Sequence, residues 1–157
     1  MPKLDPSKRI ELLEKAKALA ILHHDCQEAL KTLAPLLTEN PMDVDALILR
    51  GNILDLGEEY EESKKCYDTV LRMNPNNTRG LIDMADWYSH KGDVNKASDY
   101  YDRALTLLKN NNYYLCREEE LKEAYLGKIL LLREVGDLDQ AQATEAEAQS
   151  TCPGFGT

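Results

Sequence analysis

The chain has 157 residues, 43% hydrophobic and 30% charged, with six prolines, eight glycines and a formal net charge of −9. This is the composition of an ordinary globular chain, long enough to bury a sizeable core and too apolar to stay disordered. The acidic balance argues against nucleic acid and against an anionic membrane surface, because both demand clustered Lys and Arg; a basic or apolar protein partner suits the charge. Met1-Pro2-Lys3-Leu4-Asp5 lacks the apolar stretch of a signal peptide, and no window is long and apolar enough to span a bilayer. The expected location is therefore the cytoplasm or another reducing compartment. Cys26, Cys66, Cys116 and Cys152 are scattered with no CxxC pair, which reads as structural thiols and not as a disulfide framework.

Helical signals start at once. Asp5-Pro6 reads as an N-cap with proline in the first helical turn. From there the chain repeats itself. Asn40-Pro41 recurs as Asn74-Pro75, 34 residues later, and the same spacing links Leu37, Leu71 and Leu105, then Ala29, Ser63 and Ala97, then Leu33, Tyr67 and Tyr101. The blocks are 10–43, 44–77 and 78–111. A fourth, 122–155, follows a ten-residue insertion and carries Gly136-Asp137, Ala141, Ala148 and Pro153 at the same internal offsets. Apolar residues in each half-block step by threes, fours and sevens, as Leu47 and Leu54 do, and as Tyr60, Tyr67 and Leu71 do. Small residues at block positions 8 and 20, such as Gly51, Ala85, Ala29 and Ala97, let two helices approach closely. Proline at position 32 (Pro41, Pro75, Pro153) stops the second helix, since it cannot continue the backbone ladder. Each block is thus a helix-turn-helix hairpin, and hairpins of this size must stack to bury their apolar faces.

Residues 112–121 read NYYLCREEEL. The helical pattern is expected to resume near Tyr114 and to run to about Val135, which makes the first helix of the fourth block long. Tyr113, Tyr114 and Leu115 are candidates for a contact with another subunit or for packing under block three. The last helix, about 138–151, is Ala-rich and polar, as a terminal helix must be to keep a stack soluble. Both ends look finished, and a stand-alone folded unit is expected.

These residues resemble the tetratricopeptide repeat (TPR) family over nearly the whole chain. The resemblance is strongest in Gly51, Tyr60, Tyr67 and Pro75 of block two and in Tyr88, Gly92-Asp93, Ala97, Tyr101 and Ala104 of block three. Blocks one and four depart from it, with Lys17 and Ile129 at the small position and Glu145 at the aromatic one. The resemblance implies an all-α, right-handed α-solenoid of four hairpins forming a single domain.

One stretch invites a different reading. Residues 21–28 read ILHHDCQE, with four side chains of metal-ligand type in a row. His24, Asp25 and Cys26 fall in the turn between the helices of block one, where other blocks place Glu58-Glu59-Tyr60, Gly92-Asp93-Val94 and Gly136-Asp137-Leu138. Asp25 stands where a carboxylate caps the next helix, His24 where the backbone turns left-handed, and Cys26 at an apolar position. Adjacent residues on a tight turn diverge, whereas a zinc site needs convergent ligands. A turn is the better reading, and no metal or cofactor is expected. Phosphate loops, nucleophile elbows and helix-borne His pairs are missing from the sequence. Carboxylate runs such as Glu58-Glu59-Tyr60-Glu61-Glu62 read as solvated faces, so an enzyme is not expected.

In the resembled family the first helix of each hairpin lines a concave groove that receives a partner. The resemblance carries that role to Ile48, Leu49, Asn52, Asp55 and Leu56 in block two, to Arg79, Ile82, Asp83 and Asp86 in block three, and to Leu126 and Leu130 in block four. Ile48, Leu49, Leu56, Ile82, Leu126 and Leu130 are apolar where water is expected. Groove positions over all four blocks hold eight acids (Glu11, Glu14, Asp45, Asp55, Asp83, Asp86, Glu123, Glu134) and three bases (Lys15, Arg79, Arg133). An apolar, acidic groove suits a peptide or amphipathic helix with basic residues. The Lys/Asn/Asn/Lys/Arg clamp by which some members hold acidic chaperone tails is absent: its positions hold Ile48, Asn52, Asp83, Glu123 and Gly127, so such tails are disfavoured. The expected function is a non-catalytic adaptor. The alternative is a self-assembling, homo-oligomeric scaffold.

Overall fold

The computed structural model describes residues 5–110 and 118–156. Among these residues there are eight helices and no strand. They are α1 (Pro6–Leu22), α2 (Cys26–Glu39), α3 (Val44–Leu56), α4 (Tyr60–Met73), α5 (Thr78–His90), α6 (Val94–Asn110), α7 (Glu118–Glu134) and α8 (Leu138–Thr151). No described helix is long and apolar enough to cross a membrane. The helices fall into two compact units, Met1–Pro75 and Asn76–Thr157.

In the first unit α1 pairs with α2 and α3 with α4, and α3 also packs on α1 and α2. The small residues Ala16, Ala20, Ala29 and Ala46 are buried and let the helices close on Leu33, Leu36 and Ile53, with Leu12, Leu13, Leu19, Cys26 and Leu49 packed around them. Both turns use the same backbone device. His24 and Glu58 take left-handed φ values of 52° and 61°. The next N–H groups, of Asp25 and Glu59, reach back to the carbonyls of Leu19 (3.0 Å) and Leu54 (2.8 Å), which closes each helix end. Asp25 then caps α2, its carboxylate accepting from the Glu28 N–H at 3.0 Å. The ILHHDCQE stretch is accordingly a turn and a cap. Asp43 caps α3 through the Ala46 N–H at 3.0 Å. It also holds Arg9 through two hydrogen bonds, at 2.8 and 2.7 Å. Arg9 bridges on to Asp45 at 2.7 Å. At α1 the expected cap is made differently. Asp5 occupies the N-cap, but its side chain makes no capping bond; its backbone carbonyl accepts from Arg9.

In the second unit α5 pairs with α6 and α7 with α8, while α7 packs on α6 and α5. Gly92 and Gly136 take φ of 75° and 81° in the turns, and Asp137 caps α8 at 3.1 Å. Tyr101, Leu105, Tyr125 and Ile129 are buried among Ala97, Ala104, Ala124, Ala141 and Ala148. Of α8 only Ala141, Thr144 and Ala148 are buried, so the helix is polar over most of its surface. Phe155 then turns its ring edge to Tyr125, at 6.2 Å between centroids. Helix α7 has 17 residues against 13 in α3 and in α5. The expected start near Tyr114, and Tyr113 and Leu115, lie outside the described residues.

Candidate functional site

The first helices of the hairpins present the expected groove residues, and the structure sorts them into three kinds. Leu56 on α3 and Leu126 and Leu130 on α7 are open, 61%, 51% and 54% exposed. Leu126 and Leu130 stand four residues apart, so they share one face of α7. Ile48 and Leu49 are half-buried, and Leu49 packs on the core of the first unit.

Ile82 and Asp83 are the correction. Both were expected to face water, and both are buried, at 0% and 4% exposure. Helix α5 carries α6 on one side and α7 on another. Eight of its 13 residues are buried, so little of it remains open.

The polar groove residues are engaged inside their own units. In the first unit Asn52 accepts from the Tyr67 hydroxyl at 2.7 Å. The second unit repeats this contact with a charge: Tyr101, 34 residues after Tyr67, donates to Asp86, 34 residues after Asn52. Burial raises the Asp86 pKa above the ordinary carboxylate value, and the tyrosine hydrogen bond opposes that rise. Burial likewise pushes Asp83 up, to about 7, against the pull of Arg79. Arg79 lies 2.9 Å from Asp83 and 2.6 Å from Glu123. Asp45 is taken by Arg9, and Glu11 by Lys8 at 2.7 Å. At least four of the eight groove acids are therefore ion-paired within the chain, which weakens the expected pull on a basic partner.

Two glycines hold the tyrosines in place. A β-carbon at Gly51 would stand 2.4 Å from Tyr67 Cε1, and one at Gly127 would stand 2.5 Å from the Tyr101 hydroxyl oxygen. The tyrosine–polar contact was missed in the sequence reading. The signal was available: Asn52 and Asp86 share the 34-residue offset of Tyr67 and Tyr101.

A tetratricopeptide-repeat family model matches residues 44–77, which are the second block of the repeat. The chain is a tetratricopeptide-repeat protein. Among curated relatives, this TPR protein is 31% identical to human protein O-mannosyl-transferase TMTC3 over 100 residues, which is 60% of this chain and 11% of the relative. It is 30% identical to the Drosophila melanogaster counterpart over 120 residues, 74% of this chain and 13% of the relative. It thus spans only a small part of the curated relatives it matches. Among solved structures it is similar to MamA from Desulfovibrio magneticus RS-1, with a TM-score of 0.68, 17% identity, and coverage of 91% of this chain and 75% of that one. YrrB, described as a TPR protein with an unusual peptide-binding site, gives a TM-score of 0.62 at 21% identity, covering 95% and 72%. The first TPR of Spaghetti (RPAP3), solved with the HSP90 peptide SRMEEVD, gives 0.60 at 17%, covering 89% and 97%. At these identities the structures establish the fold.

Proposed function

We propose that the chain is a non-catalytic interaction module that holds a peptide or amphipathic helix of a partner protein against the first helices of its hairpins. The observation that carries this is the pair Leu126 and Leu130, more than half exposed on one face of α7. Large apolar side chains held open on a helix face mark an interaction surface. Leu56 on α3, with half-buried Ile48 and Leu49, supplies similar surface in the first unit. Asn52 and Asp55 are the polar residues beside this surface in the first unit, and Arg79 and Asp86 are those of the second.

YrrB is described with a peptide-binding site and the Spaghetti repeat with a bound peptide, which supports peptide binding as a use of this fold. The Spaghetti ligand is acidic. The positions that would clamp such a tail hold Ile48, Asn52, Asp83, Glu123 and Gly127, with no lysine or arginine among them, so an apolar segment with basic residues suits this chain better. We take the four blocks 10–43, 44–77, 78–111 and 122–155 as the repeats that present this surface. The reading needs no metal, no cofactor and no membrane insertion. The mannosyl-transferase activity named for the longer relatives has no part in it.

A pull-down from native lysate tests the reading. It compares wild type with Leu126→Glu plus Leu130→Glu, a variant first shown by circular dichroism to fold. Both sites are exposed, so the variant should keep its helices. A protein captured by wild type and lost with the variant supports the module. Identical captures mean that this face of α7 binds nothing.

A further inference from the structure

The first unit carries a furrow of about 480 Å3 away from the first-helix face. Leu30, Lys31, Ala34, Leu37 and Thr38 of α2 line it together with Arg50 of α3. Helix α3 packs on both α2 and α4, but α2 and α4 do not pack on each other, which leaves an α3 side chain to complete the lining. Residues 30, 34 and 37 step by four and three, so they form one stripe along two turns of α2.

Arg50 is out of the ordinary for this chain. It is half-buried, yet no carboxylate lies within ion-pair distance of it among the described residues. Its guanidinium donates to the Cys66 sulfur at 3.8 Å, and sulfur is a weak acceptor. Glu62, an acid whose charge Arg50 influences, is bonded by Lys65 at 2.5 Å. Arg9, Arg79 and Arg133 each hold a carboxylate at 2.9 Å or closer. Partly burying a charge without a counter-charge at contact distance is unfavourable.

The second unit shows the same position complete. Lys128 occupies the block position of Arg50, two repeats and the insertion further on. Asp102 occupies the block position of Ala34, two repeats further on. There Lys128 Nζ meets the Asp102 carboxylate at 2.5 Å, and the lysine side chain is only 16% exposed. The second unit therefore neutralises its cation from its own second helix. The first unit keeps a cation and has an alanine where that acid would stand.

We propose that this furrow is a docking site for a peptide segment of another protein with one Asp or Glu set between apolar side chains, the carboxylate taking beside Arg50 the place that Asp102 takes beside Lys128. The guanidinium fork matches a carboxylate in two hydrogen bonds. Leu30, Ala34 and Leu37 receive the flanking apolar groups. Lys31 also lines the furrow, its ammonium held by Glu28 at 3.3 Å. The site lies between α2 and Arg50 of α3 and shares no residue with the first-helix surface proposed above.

The test uses peptides selected from a random display library on the full chain, then resynthesised with capped ends so that no terminal carboxylate competes. They are titrated by calorimetry against wild type, Arg50→Gln, Ala34→Asp, and Leu126→Glu plus Leu130→Glu. The expected result is at least one peptide with an acid flanked by apolar residues. Its Kd should rise about tenfold or more with Arg50→Gln, with Ala34→Asp, and when its own acid becomes an amide. It should not change with the α7 double variant. Recovery of no such peptide overturns the proposal, as does a Kd indifferent to both Arg50→Gln and Ala34→Asp. Peptides lost only with the α7 double variant overturn it too, while supporting the first-helix surface. A second measurement needs no ligand. Ala34→Asp should raise the thermal midpoint of wild type but not that of Arg50→Gln, because only the former gains an internal ion pair. Equal effects in both backgrounds would mean that positions 34 and 50 are not within reach, and the assignment falls.

Discussion

Replacing Gly51 by alanine sets two effects of opposite sign against each other, and the structure decides which prevails. Gly51 lies inside α3, where alanine is the better helix former by about 1 kcal/mol. On propensity alone Gly51→Ala stabilises. The new β-carbon, however, would lie 2.4 Å from Tyr67 Cε1, 2.9 Å from Cζ and 3.0 Å from Cδ1. Ordinary carbon contacts are about 3.5–4.0 Å, so the ring must retreat by about an ångström. It has little room, because Tyr67 is 2% exposed and its hydroxyl is tied to Asn52 at 2.7 Å. Overpacking of this kind costs about 1–3 kcal/mol, and straining the hydroxyl bond adds up to about 1. Set against the propensity gain, the net expectation is a loss of up to about 3 kcal/mol, read as a urea midpoint lowered by up to about 1.5 M in far-UV circular dichroism. Gly57→Ala is the control. Its nearest contacts lie at 3.5 Å and beyond, and its φ of −83° suits any residue, so the midpoint should hold or rise. The double variant Gly51→Ala plus Tyr67→Leu should lose less than the sum of the two single losses, since each removes the other's clash. If Gly51→Ala raises the midpoint as Gly57→Ala does, the close approach of α3 to the Tyr67 ring is not what fixes glycine at this position.

Asp43 gives a prediction in pH. The hydrogen bonds from Arg9 hold its carboxyl below the usual carboxylate range. A depressed folded-state pKa contributes stability that is present above the unfolded value, near 4, and is lost as pH falls through the folded value. Thermal midpoints of wild type and Asp43→Asn should therefore differ most at pH 7, by about 1–3 kcal/mol, and converge below pH 4. Tyr101→Phe and Tyr67→Phe remove equivalent hydroxyls, but the first orphans a largely buried carboxylate and the second a neutral amide. Chemical denaturation at pH 8 should show a loss of about 2 kcal/mol for Tyr101→Phe against about 1 for Tyr67→Phe. Because burial raises the Asp86 pKa, the gap should narrow as the pH is lowered and the orphaned group takes up a proton. His24→Gly should raise the melting temperature by about 0.5–1 kcal/mol worth of stability, because glycine adopts the left-handed φ of 52° without strain. A fall would show that the imidazole does more at that turn than terminate α1.

What could be read in the sequence was what every repeat demands of its own backbone. The left-handed residue between the helices recurs as His24, Glu58, Gly92 and Gly136 because each hairpin must reverse there, whatever packs beside it. Helices α2 and α4 stop two residues before Pro41 and Pro75, since proline cannot extend the ladder. Such constraints are local, and a fixed offset exposes them. Exposure is different. Ile82 and Leu126 stand at the same block position, yet one is 0% and the other 51% exposed. The difference lies in what packs against α5 and α7, and no spacing encodes that.

The same limit explains why the ion pairs were illegible although their residues were in view. Arg50 and Lys128 share a block position, as do Ala34 and Asp102, but the offset says nothing of who faces whom. Only the fold joins α6 to α7 through Asp102 and Lys128 and sets Ala34 beside Arg50 in one furrow. A repeat protein thereby supplies its own comparison. Each hairpin shows what a position does when complete, and a hairpin that departs from the pattern at one half of a bonded pair marks where a group from outside fits. Asn52 and Asp86 depart in charge but each keeps its tyrosine, so those positions are closed internally. Arg50 keeps the cation and loses the acid, which makes it, on physical grounds, the more informative departure.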